Sequence, residues 1–201
     1  MTGADGEGHH GWPADLRGVT ETVTATLGPD GRWNAAALGV HAPAWAPGDA
    51  PATARTWGRT RTRGNFEREG EGYVQFLDDP RAFVEAALGV LERDEPVLEA
   101  AAAWARVEVR RRDEGIEDGT EWVEWSLEPV EAGVERRTVP TIDRGFGAVV
   151  EATVWASRLD VAGYDEAELR TRLDFLADVA DRAGGDRERE AFERLRELSD
   201  Y

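Results

Sequence analysis

The sequence predicts a mainly antiparallel β fold, a small barrel with helices packed outside it and a helical pair at the C-terminus. Three observations carry that prediction. Alternating, β-branched segments joined by glycine turns fill the first half, a long alternating hairpin follows, and apolar residues at helical spacing fill the last third.

From Val19 the chain reads V-T-E-T-V-T-A-T-L, the composition of a strand. Asp30-Gly31 in G-P-D-G-R is a hairpin signal, and W-N-A-A-A-L-G-V is the returning strand. Proline and glycine then crowd residues 42–51 and mark a loop. The short strand A-T-A-R-T-W-G leads into T-R-T-R-G-N-F-E-R-E-G, where Thr60 or Thr62 can cap a short helix. Tyr73–Leu77 is another strand, and Asp78 or Asp79 ahead of Pro80 opens a helix through R-A-F-V-E-A-A-L-G-V-L. Residues 104–111 and 120–127 alternate about a loop holding Gly115 and Gly119, which predicts an antiparallel hairpin with one wet face. Within it, Arg110, Arg111 and Arg112 stand beside Glu108, Asp113 and Glu114, a self-neutralised edge. Three helices follow. They are marked by Phe146, Val149, Val150 and Val154, then by Leu169, Leu173, Leu176 and Val179, then by Phe192, Leu195 and Leu198. Asp165 with Glu168 has the form of an N-cap and its acidic N3 residue, and Gly184-Gly185 separates the last two helices.

Composition narrows the function. The 201 residues suffice for one ordinary domain with a hydrophobic core. Acidic residues number 41 against 24 basic ones, a net charge of −17, and every basic residue is arginine. Dense carboxylates without lysine suggest adaptation to molar salt, where a Debye length of about 3 Å screens the self-repulsion. The same charge disfavours generic binding to nucleic acids or anionic membranes. With no cysteine there are no disulfides, thiol nucleophiles, Cys-ligated zinc or iron–sulfur clusters. Neither a long apolar span nor a basic-then-apolar leader is visible, so the expected location is cytoplasmic. Residues 1–15 read as a disordered leader, 16–160 as the barrel domain and 161–201 as its C-terminal helical extension. His9, His10 and His41 are the only histidines, too few and too scattered for a metal site or a Ser-His-Asp triad.

One segment stands out chemically. Residues 50–66 contain no acid and four arginines, Arg55, Arg59, Arg61 and Arg63, with cations and hydroxyls alternating in R-T-R-T-R ahead of Gly64-Asn65. Guanidinium forks, hydroxyls and the amides of a helix start are the groups that hold a phosphate. A basic strand edge that pairs with surface carboxylates would have the same composition.

Four blocks in order resemble a known family. They are G-V-T-E-T-V-T-A-T with D-G-R-W-N-A-A-A-L-G-V, then T-R-T-R-G-N-F, then Y-V-Q-F-L-D-D-P-R-A-F-V, and then D-R-G-F-G-A-V-V-E-A-T-V-W-A-S-R-L. Together they are similar to an uncharacterised archaeal and bacterial family of flavin-reductase-like proteins with the FMN-binding split β-barrel fold. The resemblance implies FMN as cofactor, its phosphate held by Thr60, Arg61, Thr62 and Asn65. It brings Asn34, Ala35 and Ala36 to the isoalloxazine or ribityl chain and puts Gln75 where the family has asparagine. Arg144 follows Asp143, another departure from the family's asparagine. Trp57 is the tryptophan to watch beside a flavin ring. The implied protein is a homodimer with a small-molecule electron donor or acceptor. Its function is a flavin-dependent oxidoreductase, or alternatively a carrier or sensor that binds FMN or another phosphate ligand without turning it over.

Overall fold

A computed structural model of the chain describes residues 11–43, 51–117, 119–139 and 141–201. His9 and His10, the leader up to residue 10 and most of the expected Pro/Gly loop lie outside the described residues. The chain divides into two units, one spanning residues up to Phe76 with Glu92–Arg137 and the other Leu77–Leu91 with Thr138–Tyr201.

The first unit is a barrel. Its elements are β1 (Val19–Leu27), β2 (Trp33–His41), β3 (Ala52–Trp57), α1 (Arg61–Glu69), β4 (Glu71–Leu77), β5 (Leu91–Arg93), β6 (Ala101–Glu117) and β7 (Thr120–Val134). The strand order is β1-β4-β6-β7-β3-β2-β5, and an additional β1–β2 pairing closes six strands into an antiparallel barrel with β5 outside the ring. Closure removes the open edges that a sheet otherwise exposes. The Asp30-Gly31 signal is realised: Leu27 pairs with Trp33, and the Gly28 amide donates to the Arg32 carbonyl at 2.7 Å. Gly31 at φ 80° supplies the left-handed residue that this turn needs. Small and β-branched side chains fill the interior, with Val40, Ala52, Ala54, Val74, Ala105, Val107, Val123 and Leu127 fully buried. Trp12, inside the segment expected to be a disordered leader, packs half-buried against this core, because a tryptophan offers more apolar surface than a tail can leave in water. The arginine triplet is paired as its neighbours suggest and beyond: Arg110 meets Glu108, Arg111 meets Glu67 and Glu114, and Arg112 meets Glu124.

The second unit is helical: α2 (Pro80–Leu88), α3 (Arg144–Ala156), α4 (Glu166–Ala183) and α5 (Asp186–Leu198). Aspartates cap three of them, Asp79, Asp143 and Asp165, each accepting two backbone amides of the first turn. Val84, Val149, Leu173 and Leu195 are fully buried in a core shared by the four helices. Gly145 lies so close to the Gly184 backbone that a side chain there would collide with it. The expected break after residue 160 therefore moves. Helix α3 shares its apolar face with α4 and α5, so the division falls between Arg137 and Thr138, and α2 joins the same unit.

Candidate functional site

Strand β3 ends at Trp57, and Gly58 turns the chain by donating its amide to the Glu121 carbonyl at 2.7 Å. Thr60 is the N-cap of α1, its hydroxyl oxygen accepting the Arg63 amide at 3.2 Å. The first turn of α1 holds no acid, so the partial positive charge of the helix start is left to other groups. The helix seats Thr62, Asn65 and Phe66 inward, and Phe66 packs edge-on against Trp125 at 5.4 Å.

Asn65 ties α1 to the β1–β2 hairpin. Its Nδ2 donates to the Thr26 hydroxyl at 2.9 Å, and its Oδ1 accepts from Arg68 at 3.1 Å. Arg68 also donates to the Leu27 carbonyl. The hairpin loop, the first turns of α1 and Glu92 of β5 enclose a cleft of about 470 Å³. That lies within the range of about 300–1,000 Å³ typical of small-ligand sites. Three guanidiniums line it, those of Arg32, Arg61 and Arg68, together with the amides of Asn34 and Asn65. Gly64 lines it too, with open space where a side chain would stand.

The expected residues divide. Asn34, Arg61 and Asn65 converge on the cleft, and Thr60 and Thr62 belong to the same helix start. Ala36 shares a face of β2 with Asn34, whereas Ala35, on the opposite face of the pleat, is 2% exposed. Gln75 is fully buried and commits its amide to the backbone: Nε2 donates to the Pro96 carbonyl at 3.0 Å, and Oε1 accepts the Leu98 amide at 2.6 Å. It holds the 96–98 segment and presents no surface to a ligand. Arg144 is in the helical unit, exposed at the start of α3, and the capping there is done by Asp143. Trp57 is 45% exposed at the end of β3.

Three of the four arginines of the acid-free window are paired with carboxylates. Arg55 pairs with Glu124 at 3.2 Å and stacks on Trp122, Arg63 meets Glu67 and Glu121, and Arg61 meets Glu92. Hydrogen bonds, first to Glu67, push the Arg63 guanidinium above its ordinary pKa, so it stays cationic. The cleft also uses residues that sequence reasoning passed over. Arg68 follows Arg61 by seven positions and Asn65 by three, a helical spacing that could have found it. Arg32 closes the Asp30-Gly31 turn. Glu92 has no local signal.

Residues 20–136 match the family model described as "Protein of unknown function (DUF447) N-terminal domain", and residues 143–197 match its companion, "Protein of unknown function (DUF447)". The chain belongs to the DUF447 family. The resemblance drawn from the four sequence blocks therefore holds, and the fold is the FMN-binding split β-barrel. An FMN-bound DUF447 protein, MM1853 from Methanosarcina mazei, superimposes with a TM-score of 0.75 at 25% identity, covering 91% of this chain and 96% of its own. A more distant structure, nitrilotriacetate monooxygenase component B from Bacillus cereus, has a TM-score of 0.46 at 16% identity, covering 59% of this chain and 71% of its own. The flavin reductase HpaC, crystallised with NADP+, has a TM-score of 0.40 at 13% identity over 60% of this chain and 81% of its own. Comparison with curated protein sequences finds no significant match.

Proposed function

We propose that this DUF447 protein binds FMN in the cleft between the β1–β2 loop and α1, and that it serves as a flavin-dependent oxidoreductase. The observation that carries the reading is the convergence of Arg32, Arg61 and Arg68 with Asn34 and Asn65 around one cleft at an acid-free helix start. That set suits a phosphate monoester: guanidiniums give charge-assisted hydrogen bonds, and Gly64 lets the backbone come close. The Asn34 amide and the small Ala36 beside it suit the ribityl chain and ring. The FMN-bound Methanosarcina mazei relative supports the choice of ligand.

Bound flavin would supply the redox chemistry at its ring, and the protein's part is binding, orientation and electrostatics. Arg61 and the first amides of α1 hold the phosphate, and Asn65, fixed by Thr26, keeps that turn against the hairpin. The barrel also exposes apolar surface at Trp57 and Ile116, which supports a homodimer in which a second subunit covers the rim. The acid-rich, lysine-free composition supports work in a salty cytoplasm.

Protein purified in molar KCl should carry a flavin spectrum, with FMN identified by mass after release. Oxidation of NADH or NADPH in the steady state would support the oxidoreductase assignment, and bound FMN without turnover would make the protein a carrier or sensor. Protein that is colourless and takes up no FMN on titration would refute the proposal.

A further inference from the structure

Glu92 stands where an anionic ligand would be expected. Its Oε1 accepts from Arg61 at 2.5 Å, and its Oε2 lies 3.6 Å from Arg32. One carboxylate oxygen thus serves the arginine of the helix start and the other the arginine of the hairpin loop, much as two oxygens of a phosphate would. Arg32 is held further by the Glu92 carbonyl at 3.2 Å and by Asp94 at 3.6 Å, so it stays at the cleft whether or not the carboxylate does. The side chains concerned keep considerable exposure, 57% for Arg61, 46% for Arg32 and 31% for Glu92, so these ion pairs are weak enough to exchange.

Resting on the FMN reading above, we propose that Glu92 is a built-in competitor for the phosphate position, a carboxylate that a ligand must displace. The consequence is selectivity. A phosphate monoester brings a charge of about −1.5 to −2 and three terminal oxygens, enough to engage both arginines and the α1 amides at once. A carboxylate, with one charge and two oxygens, gains little by replacing one of its own kind. Chloride, abundant in a salty cytoplasm, meets a competitor tethered at high effective concentration. The site thus stays closed to common anions and open to phosphate esters.

The test is a titration of FMN and riboflavin against wild type, Glu92→Gln, Arg61→Ala and the double variant, in molar KCl to screen long-range charge effects. Removing an exchangeable surface pair should tighten FMN by about two- to fivefold. Riboflavin, which has no phosphate, should bind unchanged. The gain should shrink in the Arg61→Ala background, because the closer of the two contested guanidiniums is then gone. Inorganic phosphate should also compete with FMN more strongly in Glu92→Gln than in wild type. Glu92→Ala serves as the second substitution, with melting curves to verify that both variants fold. FMN bound normally by wild type but equally or more weakly by both Glu92 variants would overturn the competitor role while leaving the FMN reading intact. A gain undiminished without Arg61 would also overturn it, since a general charge effect would then be at work. Wild type that bound no FMN would refute the parent reading, and this inference with it.

Discussion

Replacing Arg61 with alanine tests the phosphate assignment most directly. Arg61 opens α1, lines the cleft and has Glu92 as its partner in the free protein. A charge-assisted hydrogen bond contributes about 1.5–3 kcal/mol. Part of that is offset because Arg61 must first leave Glu92, an exposed pair worth about 0.2–1 kcal/mol. The net loss is about 1–2.5 kcal/mol, or about a 5- to 60-fold weaker Kd for FMN. Riboflavin should bind the variant as it binds wild type. Quenching of tryptophan fluorescence during titration of the apo-protein gives both constants, with Trp33 next to Asn34 at the start of β2 as a local reporter. Arg110→Ala is the control: Arg110 is 72% exposed, bound to Glu108 on β6, and should leave both ligands alone. Equal weakening of FMN and riboflavin by Arg61→Ala would make the residue structural, and loss of FMN binding in Arg110→Ala alone would move the site elsewhere.

Salt should stabilise the fold: with −17 charges unscreened, dialysis from 3 M to about 0.1 M KCl should lower Tm markedly, and an unchanged Tm would remove the salt-adaptation reading. Light scattering in high salt should give about twice the 22.1 kDa chain mass; a clean monomer that binds FMN would show that no second subunit is needed. Gln75→Leu should cost about 2–4 kcal/mol by leaving the Pro96 carbonyl and Leu98 amide without their partner, yet leave FMN affinity unchanged well below Tm. Weakened FMN binding with unchanged stability would return Gln75 to the ligand site.

The barrel was legible where a local rule has a single physical solution. Asp30-Gly31 demands a tight turn, and the aspartates before α2 and α4 are side chains that can reach a first-turn amide. Strand lengths were less legible. β6 begins at Ala101, within a run of alanines that suits strand or helix equally, and only pairing with β7 decides it. β5, three residues long, carries no period at all. The boundary between the units was hidden because an amphipathic helix shows that it has an apolar face without saying which neighbour covers it. At the candidate site, hydroxyls and cations in one short window pointed to an anion, and the fold brings Arg61 and Asn65 of that window to one cleft. The pleat put Ala35 on the face of β2 opposite Asn34, and the buried amide of Gln75 serves the backbone, two outcomes that residue type cannot separate.

What stayed hidden is also what gives the cleft its character. Glu92 is 31 residues from Arg61 along the chain, and Arg32 lies 60 residues from the Glu92 carbonyl it binds. Read as a window, residues 50–66 look like a strongly cationic patch in an acidic protein. Folded, the patch is largely neutralised, with Arg55, Arg61 and Arg63 each against a carboxylate contributed by another strand. A patch of that kind attracts little from a distance, and in molar salt no field would reach far in any case. On the proposed reading, recognition then rests on contact: a ligand succeeds only if its oxygens match two guanidiniums and a helix start better than the resident carboxylate does. If the chain works in molar salt and holds FMN as proposed, the acid surplus and the carboxylate in the cleft act at two scales. One would keep the surface hydrated where salt is abundant, and the other would keep the anion site selective there.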